Sequence, residues 1–110
     1  MPFDEYLAER VRALVSRRTG FSEKKMFGGV AFLLHGNMCI GVWKEYLILR
    51  IGPEAYDEAV DDPEVKEFDI TGKPMRGWIM VEPTGIEEDA KLQVWMERAE
   101  GFVRELPRKG

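Results

Sequence analysis

The apolar residues at the start of the chain are spaced as in an amphipathic helix, which we predict over residues 4–18. They recur at intervals of three and four positions and so share one side of an α-helix: Leu7, Val11, Leu14 and Val15. Asp4 precedes them and suits the N-cap, where its carboxylate can accept a hydrogen bond from a free backbone N–H. Gly20 follows the helix and is a suitable residue to end it.

A long apolar stretch comes next, and turn residues divide it into three short segments. We predict strands over residues 30–34, 38–43 and 46–51. The first two are separated by a tight turn at residues 35–37, and the last two by a turn at residues 44–45. Because such short turns join neighbouring strands that run in opposite directions, the three strands are expected to form an antiparallel meander.

The second half of the chain predicts a short helix, two further strands and a long helix. Pro53 follows Gly52 and suits the first turn of a helix, since proline has no N–H to leave unpaired. Strands are predicted over residues 65–71 and 75–82, with a turn between them. The last helix ends before Pro107 and carries apolar residues at helical spacing: Leu92, Trp95, Met96, Ala99, Phe102, Val103 and Leu106.

These elements have the order α-β-β-β-α-β-β-α. A chain of 110 residues has room for one domain, and we predict a single α+β domain over residues 1–110. Its antiparallel sheet is expected to have about five strands and to pack against three helices.

Strict alternation along the predicted strands gives the sheet two unlike faces. One face is entirely apolar and is expected to pack on the helices: Met38, Ile40, Val42, Leu47, Leu49, Ile51, Ile79 and Val81. The other face mixes aromatic, charged and small residues, and it includes Cys39. Trp, Tyr and Arg are enriched at binding hot spots, and five residues of the mixed face form a candidate interaction face: Trp43, Tyr46, Arg50, Arg76 and Trp78. The alternative is that a helix closes this face and the Arg side chains reach solvent at its rim.

The formal net charge of −4 is unevenly distributed along the chain. Residues 1–52 carry eight bases against five acids, residues 53–69 carry one base against eight acids, and residues 70–110 carry seven of each. The acidic middle segment is either a solvated helix and loop, or a surface that repels phosphate or meets a basic partner. Direct DNA binding would depend on a few bases around the end of the first helix: Arg17, Arg18, Lys24 and Lys25. A solvated turn is the alternative reading of those four residues.

Residues of catalytic and metal-binding type are sparse. The chain has a single Cys and a single His, so neither a disulfide nor a structural zinc site is expected. Cys39 lies within a predicted strand and His35 in a turn, a spacing that does not favour a Cys–His nucleophile pair. We therefore predict no catalytic residues, no metal and no cofactor. No segment has the length of a membrane span or the form of a signal peptide, so a cytoplasmic location is expected.

Three ordered blocks of the sequence carry a family resemblance. The first begins with a short motif and continues through a strand, a turn and a second strand; the motif is Met26, Phe27, Gly28 and Gly29. The second block reads LILRIGPEAYDEA, and the third reads FDITGKPMRGWIMVEP. Together the blocks extend over roughly residues 21–106, and they resemble the N-terminal domain of the TfoX/Sxy family.

This resemblance implies an α+β fold with a curved antiparallel sheet, similar to secretion-chaperone-like folds. It also implies a non-enzymatic regulatory domain, because the named members are bacterial competence regulators thought to act with a transcription activator. We expect the mixed sheet face to bind a protein partner, with direct DNA binding and small-ligand binding as the alternatives. Open sheet edges are best covered or paired, so a homodimer is a further expectation.

Overall fold

The computed structural model describes residues 3–26, 28–68 and 75–108, which form three helices and one six-stranded sheet. In chain order the elements are α1 (Glu5–Val15), β1 (Phe21–Met26), β2 (Gly29–Leu34), β3 (Asn37–Trp43), β4 (Tyr46–Arg50), α2 (Pro53–Val60), β5 (Val65–Glu67), β6 (Trp78–Val81), a 3-10 turn (Pro83–Gly85) and α3 (Asp89–Val103). The predicted α+β class, with three helices on an antiparallel sheet, is confirmed.

The helix starts follow the local sequence. The backbone N–H of Leu7 donates to the Asp4 carboxylate at 3.1 Å, which confirms Asp4 as the N-cap of α1. Pro53 is the first residue of α2, as predicted, and the glycine before it has a φ of 88°, in the region that favours glycine.

The sheet has one more strand than the sequence predicted. Its order is β1-β2-β3-β4-β6-β5, and every neighbouring pair is antiparallel. The additional strand is β1, whose four central residues are all exposed. A strand at the edge of a sheet has little contact with the core and needs no apolar alternation, so its sequence carries no strand pattern. The two strands predicted over residues 65–71 and 75–82 are shorter than expected, and residues 69–74 lie outside the described part of the chain.

One face of the sheet, here called the helix face, packs against all three helices. Its buried residues form one large cluster with apolar residues from each helix, including Val11 of α1, Tyr56 of α2 and Trp95 of α3. Most strand residues of this cluster are fully buried, among them Phe32 and Leu49. The predicted apolar face is confirmed at most of its positions.

The opposite face, here called the aromatic face, has its own smaller cluster. Its members are Ile48, Phe68 and Met80, with Met38, Trp43, Tyr46 and Trp78 packed around them. None of these residues comes from a described helix. The side chains around the cluster are half-buried, and they give this face a surface of aromatic rings and thioethers.

A β-bulge corrects the predicted faces at the start of β3. Phe32 pairs with Ile40, but the next residue of β2 pairs with Met38, so Cys39 has no partner on β2. An extra residue in one strand shifts the alternation of side chains by one position. Cys39 therefore lies in the core of the helix face and Met38 on the aromatic face, the reverse of the prediction from strict alternation.

Candidate functional site

The register of the sheet sets one row of residues across the aromatic face. Paired residues on neighbouring strands point to the same side of a sheet and lie about 5 Å apart. The row begins and ends with lysine and has small or apolar residues between: Lys24, Ala31, Gly41, Ile48, Met80 and Lys66. Lys24 on β1 and Lys66 on β5 thus mark the two edges of this face.

Aromatic rings lie on both sides of the row. Trp43 and Tyr46 face each other across the β3–β4 turn, with ring centroids 6.4 Å apart and planes at 27°. Phe68 and Trp78 lie together with ring centroids 5.7 Å apart. These offset contacts fix the rings in place, since aromatic pairs in such arrangements attract one another beyond their buried area.

A cation lies over each of three rings on this face. Lys44 Nζ is 4.5 Å from the Trp43 ring centroid, and Lys66 Nζ is 5.5 Å from that of Tyr46. The Arg50 guanidinium is 5.2 Å from the Trp78 centroid and 5.8 Å from that of Phe102 on α3, which places it at the rim of the sheet. Cations at these distances are attracted to the ring faces.

Lys66 has one carboxylate neighbour on this face. Its Nζ lies 3.7 Å from Glu82, and both side chains are partly exposed. A hydrogen bond with Tyr46 raises the pKa of Lys66 above its ordinary value, and Glu82 adds to the effect. Lys66 is therefore charged at neutral pH and held beside Tyr46.

Four of the five predicted interaction residues come together, and one does not. Trp43, Tyr46, Arg50 and Trp78 lie on the aromatic face or at its rim. Arg76 precedes β6, so strand alternation does not apply to it. Its guanidinium instead makes a two-point ion pair with Asp57 on α2, at 3.1 and 2.9 Å. The sequence-based interpretation missed two cations. Lys44 directly follows Trp43 and lies over its ring, whereas Lys66 is brought to Tyr46 by the register of the sheet.

The four bases considered for DNA binding are distributed over different surfaces. Lys24 pairs with Ala31 and lies on the aromatic face, while Lys25 pairs with Val30, a residue of the helix face. Arg18 forms an ion pair with Glu100 of α3, and Arg17 borders a groove between α1 and α3. The four residues do not form one continuous patch.

Glu100 is a buried carboxylate that joins α3 to the segment following α1. It is 6% exposed and lies between Arg18, which follows α1, and Arg104, whose guanidinium is 3.4 Å away. A buried charge is tolerated when it is paired and hydrogen-bonded. Arg18 thus has a structural partner within the fold.

The carboxylates that the structure describes are unevenly distributed between the two sides of the sheet. The acidic helix α2 packs on the helix face, and Glu64 lies 4.0 Å from Lys91 of α3 on the same side. On the aromatic face and its rim, the charged residues within the described ranges are four cations and one carboxylate: Lys24, Lys44, Arg50, Lys66 and Glu82. A chain of net charge −4 therefore presents a locally positive face.

The sites considered for chemistry on the helix side are a buried thiol, a metal centre and a groove lined by ionisable residues. Burial raises the pKa of the Cys39 thiol to about 12, so this thiol is protonated at neutral pH and is a poor nucleophile. Within the described ranges, no group of three His, Cys, Asp or Glu residues is arranged to hold a metal ion. A groove of about 400 Å³ between α1 and β1 is lined by ionisable residues, but Arg12 there pairs with both Glu9 and Glu23.

The family motif forms the junction of β1 and β2. Met26 ends β1 and pairs with Gly29, the first residue of β2. Gly28 has a φ of 76°, and a Cβ there would meet no atom within 4 Å, so glycine is needed for its backbone conformation and not for space. Phe27 lies outside the described residues. No helix among the described residues has the length and apolar character to cross a membrane.

Comparison with known protein families returned a match over most of the chain. A family model described as the TfoX N-terminal domain matches residues 13–103, a range that includes the whole sheet together with α2 and α3. A search of curated proteins and a search of solved structures each returned no match. The match covers most of the chain, and the protein therefore belongs to the TfoX N-terminal domain family.

Proposed function

We propose that this TfoX N-terminal domain is a non-enzymatic regulatory domain of the cytoplasm that binds a protein partner through its aromatic face. The observation that carries the proposal is the arrangement of Trp43, Tyr46 and Trp78 around a small apolar cluster on the sheet face opposite the helices. Half-buried Trp and Tyr rings on a rigid sheet supply apolar contact area at little entropic cost, as binding hot spots require.

Family membership supports a regulatory role. The TfoX N-terminal domain resembles part of bacterial competence regulators, and a transcription activator is the partner we propose on that basis. A second copy of the chain is an alternative occupant, because the outer edge of β1 pairs with no described strand. The exposed lysines of β1 oppose such pairing, since charged residues on an edge strand discourage contact between edges.

The experiment is capture of partners from extracts of the producing cells on the immobilised domain. We compare the unchanged chain with Arg50→Ala and Trp78→Ala, and with Tyr6→Ala, which alters a 75% exposed ring on α1. The proposal predicts that a protein captured by the unchanged chain and by Tyr6→Ala is lost with both variants of the aromatic face. Equal capture by all four proteins, with their folds verified by circular dichroism, would remove it.

Direct DNA binding is tested in parallel by an anisotropy titration with labelled duplex DNA at low salt. The dispersal of Arg17, Arg18, Lys24 and Lys25 predicts no binding that survives physiological salt. Tight binding to duplex DNA that falls steeply with added salt would favour that alternative over a protein partner.

A further inference from the structure

We infer that the partner segment bound by the aromatic face is an acidic peptide with apolar side chains. This inference rests on the proposed function and adds the chemistry of its partner. Its first support is the charge of the face, where Lys24, Lys44, Arg50 and Lys66 outnumber the one carboxylate, Glu82.

The cations of this face are available to a ligand. Among the described residues, no carboxylate lies within 4.0 Å of Lys24, Lys44 or Arg50. Two of these three cations lie over aromatic rings, which orients them without neutralising their charge. A carboxylate of a partner can therefore pair with them while its apolar neighbours contact the rings.

The apolar requirement comes from the cluster beneath the cations. Met38, Trp43 and Trp78 pack around Ile48, and each of the three keeps part of its side chain exposed. Burial of such rings and a flexible thioether stabilises an apolar side chain of a partner. Acidic side chains alone would leave this area exposed to water.

The same contacts disfavour a single-stranded nucleic acid as the ligand. Binding of that kind needs aromatic ring faces on which successive bases can stack. Here Lys44 lies over Trp43, Lys66 over Tyr46 and Arg50 over Trp78. A base would have to displace each cation before stacking, whereas a carboxylate binds the cations where they are.

The acidic helix α2, on the opposite side of the sheet, is an unfavourable docking surface for an acidic segment. Helix α2 carries Glu54, Asp57 and Glu58, and no base lies within it. It repels an acidic segment from its own surface, so docking on α2 is disfavoured relative to the aromatic face.

The test uses the three tryptophans of the chain as separate reporters. Trp43 and Trp78 lie on the aromatic face, and Trp95 lies in the helix-face core with 7% exposure. The protein is labelled with fluorotryptophan, and the fluorine resonances are assigned by single Trp→Phe variants. The probe is a short synthetic peptide in which Glu alternates with Leu and Phe.

Two matched peptides and one oligonucleotide serve as controls. One peptide has Lys in place of Glu, the other has Ser in place of Leu and Phe, and the oligonucleotide is single-stranded oligothymidylate. We expect the acidic apolar peptide to shift Trp43 and Trp78 but not Trp95, with an affinity about tenfold higher than that of either control peptide. The affinity should also fall as salt is added, because the charge contacts are exposed.

Three results would overturn the inference: no shift of Trp43 or Trp78 by the acidic apolar peptide, equal binding of the basic peptide, or tighter binding of the oligothymidylate. Its failure is distinguishable from failure of the proposed function. If a captured protein still depends on Arg50 and Trp78 while the acidic peptide does not bind, the protein-binding role stands and the partner chemistry is wrong.

Discussion

Lys24 and Lys25 are neighbours on β1 but lie on opposite faces of the sheet. Lys24 pairs with Ala31 and belongs to the row that crosses the aromatic face, whereas Lys25 pairs with Val30 of the helix-face core. Both side chains are exposed and both carry one positive charge. Substitution of either lysine therefore changes the net charge of the molecule by the same amount but alters a different face, so the two effects can be told apart.

The carboxylate of Glu100 is expected to stabilise the fold by joining Arg18 to α3. Glu100→Gln removes the anion that the guanidinium groups of Arg18 and Arg104 share. The Arg18 side chain is only 22% exposed. We expect the free energy of unfolding to fall by about 1–3 kcal/mol, less than for a fully buried pair because water still reaches Arg18.

Urea denaturation followed by circular dichroism measures this change. Glu97→Gln is the control, since it removes an exposed carboxylate from the same helix one turn earlier, and it should change stability by less than about 0.5 kcal/mol. Equal losses in the two variants would show that the ion pair contributes nothing specific.

Two glycines, one packed against the Phe102 ring and one beside Phe102 along the chain, are expected to respond in opposite ways to Ala. Gly52 has φ 88° and ψ 159°, and a Cβ there would overlap the Phe102 ring. Gly101 is an exposed helical residue of α3 whose added Cβ meets no atom within 4 Å. Gly52→Ala should cost about 2 kcal/mol or more, whereas Gly101→Ala should stabilise by about 0.5–1 kcal/mol. Thermal denaturation measures both, and a stabilised Gly52→Ala would contradict the backbone conformation described here.

The buried thiol of Cys39 predicts a dependence of stability on alkaline pH. Its pKa is about 12 in the folded chain, against an ordinary value of 9.0 when the thiol is exposed, because burial disfavours the thiolate. The buried protonated thiol therefore makes its full contribution to the free energy of unfolding below pH 9.0, and this contribution is lost as the pH rises from there towards 12.

The contribution of the thiol is isolated by comparing denaturation curves of the unchanged chain and of Cys39→Ala over this pH range. Burial also raises the pKa of Tyr56, but Tyr56 is present in both proteins and its effect cancels. The difference in stability between the two proteins should shrink with rising pH. A constant difference would mean that the thiol is not buried as described. Labelling of the thiol in the native protein should likewise be slow and should accelerate in denaturant.

Most of the fold could be predicted from the sequence, because burial imposes a pattern that the chain shows directly. The helical spacing around Trp95, the Asp4 cap and the Gly52-Pro53 helix start all depend on neighbours along the chain. β1 could not be predicted in the same way, since an exposed edge strand is held by backbone hydrogen bonds to β2 and its side chains are under little constraint.

The candidate site could be predicted only in part. Trp43, Tyr46 and Trp78 follow from alternation within regular strands. The bulge that exchanges Met38 and Cys39 depends on how β3 pairs with β2, which alternation along β3 alone does not show. Lys66 reaches Tyr46 because β6 lies next to β4 and β5 lies next to β6, a relationship between residues distant along the chain.

The central claim, that the aromatic face is the binding surface, is tested most directly by charge reversal at the β1 pair. The acidic apolar peptide, carrying a fluorescent label, is titrated with Lys24→Glu and with Lys25→Glu. The two variants have the same net charge, and their altered residues are neighbours on β1 that belong to opposite faces of the sheet. Lys24→Glu should weaken binding about fivefold or more, while Lys25→Glu should change it less than about twofold. Equal losses in the two variants, or a larger loss with Lys25→Glu, would contradict the claim.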